Sequence, residues 1–278
     1  MLSPKARRVV IPSLAMRIFE IAGIRVTESG QGSQPPAILV IHGGSADGSA
    51  WSRVTDALPI GLRALRYDRY TYRGNVENQS GEEIMAREVA DVLAVADAIN
   101  SPLLVVGHSS GGVVALQAAR RRNFEGLVLY EPPVAVTEPL GGDALRRARA
   151  ALDAGKAGQA MEIHIRDIVG LRTMARFMRV FPPLKKAMSR FAAGQIADDE
   201  ALESVGVGLD QYAGITSPVL LLDGAKSPAH LRERTRALAS KLPTVDKVTM
   251  KGQGHTANLG APQEVARIIA DYARKLGH

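Results

Sequence analysis

The chain has 278 residues, 46% hydrophobic and 23% charged, a composition that fits one large α/β domain and excludes a disordered or low-complexity chain. Its 35 Lys and Arg against 28 Asp and Glu leave a formal charge of +7, yet no long basic run interleaved with aromatics marks a nucleic-acid surface. There is no cysteine, hence no disulfide, thiol chemistry or thiolate-held metal, and the six histidines are scattered rather than paired as zinc ligands.

At the N-terminus, Lys5, Arg7 and Arg8 precede a short apolar segment in the manner of a secretory leader, but Pro12 interrupts it and Arg17 and Glu20 follow at once. The expectation is an N-terminal extension on a cytoplasmic protein, since no stretch has membrane-spanning length. Two short alternating runs around Ala22-Gly23, within residues 17–28, predict a hairpin. A loop over 29–36 leads to the apolar run 37–41, which ends in His42-Gly43-Gly44. Trp51 opens a helix as packing. The next strand, 62–67, runs into the charged segment 68–74, whose charges are read as holding a loop. Residues 82–100 carry Ile84, Val89, Val92 and Ile99 at helical spacing.

The run 103–106 is continuously apolar and opened by Pro102, as a strand buried on both faces should be. It breaks at Gly107-His108-Ser109-Ser110-Gly111, and a helix pattern with Val113, Leu116 and Ala119 on one stripe follows at once. This strand–turn–helix context is what a G-x-S-x-G motif needs. It puts Ser109 at the tip of a tight turn near a helix N-terminus, where amides favour developing negative charge. Neither G-x-G-x-x-G nor a Walker lysine is present, which weakens a phosphate-loop reading.

The strand 126–130 stops at Glu131-Pro132-Pro133. A residue before proline is biased to extended geometry, so Glu131 is expected fixed at the strand's carboxyl end, where open α/β sheets bind ligands. Residues 134–214 are helical in pattern without strand-like runs. Leu171, Met174, Met178 and Phe181 fall on one helical face there. Arg172, Arg176, Arg179, Lys185 and Lys186 make the middle of this insert basic, and Asp198, Asp199, Glu200 and Glu203 make its end acidic. A strand over 217–223, a helix over 228–242 and a last strand over 245–250 follow. His255 then stands in a glycine loop before a closing helix over 262–276.

Three segments in this order resemble the α/β-hydrolase superfamily: residues 38–44, the turn 107–111 and the loop Gly252-Gln253-Gly254-His255-Thr256. The resemblance covers nearly the whole chain. It implies the α/β-hydrolase fold, a mostly parallel sheet flanked by helices with an inserted helical cap. The core would comprise 1–133 and 215–278, and the cap 134–214. By that likeness Ser109 is the nucleophile, His255 the base, and the amides of Gly44 and Ser110 the oxyanion hole. The cap face of Met174, Met178 and Phe181 would line the substrate pocket.

The acid departs from the pattern. Its usual place, a few residues after the glycine ending the penultimate strand, holds Ser227. Some relatives carry the acid at the end of the preceding strand, where Glu131 stands; Asp223 is the runner-up. The resemblance implies a serine hydrolase of a small to medium apolar carboxylic ester or lactone, without cofactor or metal, acting on a small molecule and not on nucleic acid or membrane. A homodimer is left open. C–C bond hydrolysis of a diketone-like compound, or a non-catalytic ligand-binding relative, are the alternatives. Haloalkane and epoxide chemistry is disfavoured, because those branches need aspartate where Ser109 stands.

Overall fold

A computed structural model describes residues 16–277 except positions 31, 33, 75 and 100; the rest of the expected N-terminal extension, residues 1–15, lies outside the described residues. The chain opens with β1 (Arg17–Ile21), β2 (Ile24–Ser29), β3 (Ala37–Ile41), α1 (Ser52–Asp56), β4 (Ala64–Tyr67), α2 (Tyr70–Arg73) and α3 (Gly81–Ala98). Next come β5 (Leu103–His108), α4 (Ser110–Ala119) and β6 (Gly126–Tyr130). A helical insert follows: α5 (Gly142–Asp153), α6 (Ala157–Ile163), α7 (Arg172–Val180), α8 (Pro182–Ser189) and α9 (Ala192–Ser204). The chain closes with β7 (Val219–Gly224), α10 (Ala229–Ala239), β8 (Val245–Met250), α11 (Ala257–Gly260) and α12 (Pro262–Leu276).

The strands form one sheet in the order β1-β2-β4-β3-β5-β6-β7-β8. Only β2 runs against the others, pairing antiparallel with both β1 and β4. The expected hairpin closes through Ala22 and Gly23, both at positive φ (49° and 77°), a two-residue turn whose twist matches the strands it joins.

Period-two alternation explains why the central strands read as unbroken apolar runs. Leu39, Ile41, Leu103, Val105, Leu127 and Leu129 belong to the cluster on one face, with α3 and α4. Ile38, Val40, Leu104, Val106, Val128 and Tyr130 belong to the cluster on the other, with α1 and α12. With both faces covered, neither face tolerates a polar side chain. Within the insert, α5 to α8 build two small apolar clusters, to which α9 adds Ile196 and Ala192. The same helix delivers Ala197, Ala201 and Leu202 into the main cluster beside α3. The insert is thus anchored to the core through its last helix.

The turn between β5 and α4 packs its glycines directly against neighbouring backbone. A Cβ on Gly111 would lie 2.3 Å from the carbonyl oxygen of His42 and 2.4 Å from that of Ile41, both backbone atoms. On Gly112 the nearest atom would be a Pro132 side-chain carbon at 3.0 Å. Both glycines are helical, so alanine gains about 1 kcal/mol of propensity at either. Gly111→Ala is expected to lose about 2–3 kcal/mol despite that gain, while Gly112→Ala stays within about 1 kcal/mol of the parent. Denaturant midpoints of the two variants check this, and equal midpoints would contradict it.

Candidate active site

Ser109 sits where β5 ends, at φ 51° and ψ −126°, a conformation an L-residue adopts only when its surroundings over-determine it. Its amide donates to Tyr130 O at 2.9 Å, and its carbonyl accepts from Gly112 N at 2.8 Å. Those two bonds, with side-chain-free glycines at 107 and 111, hold the turn. Among the described residues Ser109 Oγ makes no hydrogen bond.

Glu131, at the end of β6, is fully buried. Its Oε1 accepts from Gly224 N at 2.8 Å, and its Oε2 accepts from His255 Nδ1 at 2.5 Å. Both carboxylate oxygens are therefore engaged, as a buried carboxylate requires. The extended geometry expected ahead of Pro132 is overturned, because Glu131 has φ 47°. Proline disfavours the right-handed helical region, and the two carboxylate bonds fix the side chain, so the backbone takes the left-handed region. Asp223 lies elsewhere, among Leu221, Thr235, Lys247 and Thr249, and makes no bond to His255.

The histidine loop is clamped from below. Tyr130 Oη donates to Gly254 O and accepts from Ala257 N at 3.2 Å. His108 stacks on Tyr130 with centroids 4.8 Å apart, lies 4.8 Å from the His255 ring, and bonds the His255 carbonyl through Nε2 at 2.9 Å. Burial, then the neighbouring His255, lowers the His108 pKa to about 3. Burial and Arg69 lower that of His42 to about 4; this ring donates from Nδ1 to Gly43 O at 2.8 Å and accepts the Arg69 amide at 3.0 Å. These bonds tie both rings to the loops around the cavity.

Ser109, His255, Gly44 and Ser110 all line one cavity of about 230 Å³ beneath the insert. That is below the roughly 300–1,000 Å³ of clefts for drug-sized ligands. Ser110 is the first residue of α4, so its amide has no intrahelical acceptor. A Cβ on Gly44 would fall 2.4 Å from Gln195 Oε1, so the end of that side chain lies directly against it. Of the three pocket residues read from the insert, Met174 lines the cavity. Met178 does not: it is buried with Met161, Ile165, Ala175 and Ala192. Phe181 is also excluded, exposed and stacked on Phe177 instead. The helical face was extended too far, because Pro182-Pro183 ends α7 at Val180 and turns Phe181 away.

Sequence reading missed the polar chain beneath the cavity. Arg69, fully buried, holds Asp198 at 2.5 Å and Glu88 at 3.3 Å and donates to Ser110 Oγ at 2.7 Å. Tyr72 Oη links Asp198 and Gln195, whose Nε2 donates to Asp199 at 3.0 Å; Asp199 in turn holds His164 Nδ1 at 2.6 Å. Burial raises the Asp198 pKa, but the charge and hydrogen bonds of Arg69 outweigh it and hold the carboxyl below its ordinary value. Asp199 has no arginine, and burial leaves its pKa raised despite His164. Asp198 and Asp199, which make the insert's end acidic in sequence, are thus interior groups. The spacing of Gln195, Asp198 and Asp199 on one face of α9 was the available signal, but it reads equally as a solvated stripe.

Residues 38–268 match the model of the alpha/beta hydrolase family. The chain belongs to that family. The chain is 28% identical over 209 residues to protein phosphatase methylesterase 1 of Pongo abelii, covering 70% of this chain and 46% of that protein. It therefore spans about half the length of that methylesterase. It is 26% identical over 262 residues to the pimeloyl-[acyl-carrier protein] methyl ester esterase of Aromatoleum aromaticum, covering 86% and 98% of the two chains. An alpha/beta hydrolase from Sphaerobacter thermophilus superposes with a TM-score of 0.77 at 25% identity, over 92% of this chain and 99% of that one. Among the described residues no helix is long and apolar enough to cross a membrane.

The neutral histidines generate a prediction about stability. Unfolded histidines bind protons below about pH 6.5, whereas folded His42 and His108 resist protonation down to about 4 and 3. Their contribution is complete above about pH 6.5 and is lost as pH falls toward those values. His108→Gln keeps a donor for the His255 carbonyl but cannot titrate. The drop in denaturation midpoint between about pH 7.5 and about pH 5 should be smaller in this variant than in the parent; an equal drop would remove His108 from the account.

Proposed function

We propose that this hydrolase cleaves a carboxylic ester of a small to medium, largely apolar compound through an acyl-enzyme on Ser109. One observation carries the reading: the buried Glu131 carboxylate holds His255 by Nδ1 at 2.5 Å, while His255 and Ser109 line the same cavity. With Nδ1–H directed to Glu131, the lone pair of neutral His255 lies on Nε2, the atom that takes the Ser109 proton as Oγ attacks the carbonyl. The amides of Gly44 and Ser110 receive the charge that develops on the carbonyl oxygen. Glu131 offsets the imidazolium, which returns its proton to the leaving alcohol, and water then cleaves the acyl-enzyme by the same steps. Residues 134–214 serve as the cap over this cavity. The two relatives named above are a methylesterase and a methyl ester esterase, which supports a small alcohol as the leaving group.

Ser109→Ala should lose on the order of 10³-fold or more in kcat on p-nitrophenyl esters, leaving the residual rate of binding and the oxyanion hole. Labelling by a fluorophosphonate should vanish with it. A variant that still labels at one serine, Ser110 for example, would put the nucleophile elsewhere.

Glu131→Gln retains size but removes the charge that fixes the His255 tautomer, so a loss of up to about 10⁴-fold in kcat is expected. Asp223→Asn should cost little, since Asp223 makes no bond to His255. Rates read beside melting temperatures decide the matter; a folded, inactive Asp223→Asn beside an active Glu131→Gln would reverse the assignment.

A further inference from the structure

Most of the cavity wall contributed by the insert is apolar, with Ile165, Ile168, Leu171 and Met174 among its residues. Three basic side chains outside the proposed reaction also reach it: His164, His230 and Arg234. Two of them have partners of their own. His164 is held through Nδ1 by Asp199, whose other oxygen is taken by Gln195, so the Asp199 charge is engaged. His230 bonds Val169 O through Nε2 at 2.9 Å.

Arg234 differs. It stands one turn after His230 on the same face of α10, and one of its five N–H donors, on Nη1, reaches Val134 O at 3.0 Å. Among the described residues no carboxylate lies within ion-pair distance of it, whereas the fully buried Arg69 has two. None of its remaining nitrogens is sealed in the interior without a partner, as Nε of Arg232 is. Partial burial without a countercharge lowers its pKa. A guanidinium that is half-buried, without an ion-pair partner and open to a largely apolar cavity is incomplete until an anion arrives. The plain alternative is a tether, in which Arg234 does no more than fasten Val134, at the start of the insert, to α10.

Resting on the ester-hydrolase reading above, we infer that the substrate carries a carboxylate remote from the scissile ester, and that Arg234 receives it in the cavity that holds Ser109. The substrate class is then the half-ester of a small dicarboxylic acid, its methylene chain lying against Ile165, Ile168 and Met174. A planar carboxylate suits the guanidinium fork, which can bind it with two parallel N–H donors while Nη1 keeps its bond to Val134.

Arg234→Gln separates the two readings, because glutamine can still donate to Val134 O but carries no charge. Mono-p-nitrophenyl esters of succinic through adipic acid are compared with p-nitrophenyl esters of the monocarboxylic acids of the same chain length. The charged-to-neutral ratio of kcat/KM should fall about 10- to 100-fold in Arg234→Gln, mainly through KM, and Arg234→Lys should recover part of it. An unchanged ratio at every chain length, in a variant that melts with the parent, would overturn the inference and leave the tether. A second arm needs no turnover. Ser109→Ala protein titrated calorimetrically with monomethyl adipate should bind about 10-fold or more tighter than Ser109→Ala/Arg234→Gln. Equal binding overturns the carboxylate site even if neutral esters are cleaved. Failure to cleave either the charged or the neutral esters, beside charge-dependent binding, overturns the ester reading alone.

Discussion

The site depends on one buried carboxylate having both its oxygens satisfied. Glu131 is shut away from water, so it is tolerable only where two donors meet it, and those donors come from different strands. Gly224 N belongs to the end of β7 and His255 to the loop after β8. That single group therefore ties the ends of β6, β7 and β8 into one geometry. Removing either donor leaves a charge in the interior with an unmet lone pair, an expensive state in a low-dielectric environment. The positive φ of Glu131 follows from the same requirement: the backbone adopts the less populated region because the side chain's bonds fix where its carboxylate must be.

A second buried charge joins insert to core. Arg69 comes from the segment just after β4, Glu88 from α3 and Asp198 from α9, so their cluster crosses the boundary between the sheet's helices and the insert. Burying such a group brings little net stability over an apolar replacement, but losing one partner is costly. The cluster thus fixes position more than it adds strength. Arg69 also donates to Ser110 Oγ, which places the residue after Ser109 under the same constraint. From Asp198 the hydrogen bonds continue through Tyr72, Gln195 and Asp199 to His164 at the cavity wall. The position of the insert over Ser109 is therefore set by polar contacts as well as by Ala197 and Leu202 in the core.

What could be read in advance was local or periodic. The central strands announce themselves because burial on both faces demands unbroken apolar runs, and the turn at Ser109 does so because glycines at 107 and 111 relieve contacts no side chain could survive. The closing helix, from Pro262 to Leu276, needed only a proline start and a regular apolar face. Contacts between segments remote in sequence were not legible. The 68–74 segment reads as a charged loop, and nothing in it names Asp198 as the partner of Arg69. The pair Asp198-Asp199 reads as a solvated acidic end, because a carboxylate's burial is decided by a partner the local pattern does not contain. Glu131 was found because proline and strand end marked its position, yet its backbone conformation depended on Gly224 and His255, far along the chain.

Two imidazoles stand 4.8 Å apart beneath the cavity, and the proposed reaction needs the proton to settle on only one of them. Burial disfavours the charge on His108. His108 has no carboxylate in contact and is buried between Tyr130 and Trp51, so a charge on it would be neither solvated nor paired. His255 lies against the Glu131 carboxylate and retains some exposure, 14% of its side chain. A proton on His255 makes a second one on His108 less favourable still, since like charges at that separation repel in a medium of low dielectric. Neutral His108 can then remain a fixed donor to the His255 carbonyl throughout the proposed cycle, holding the backbone of the loop that carries His255.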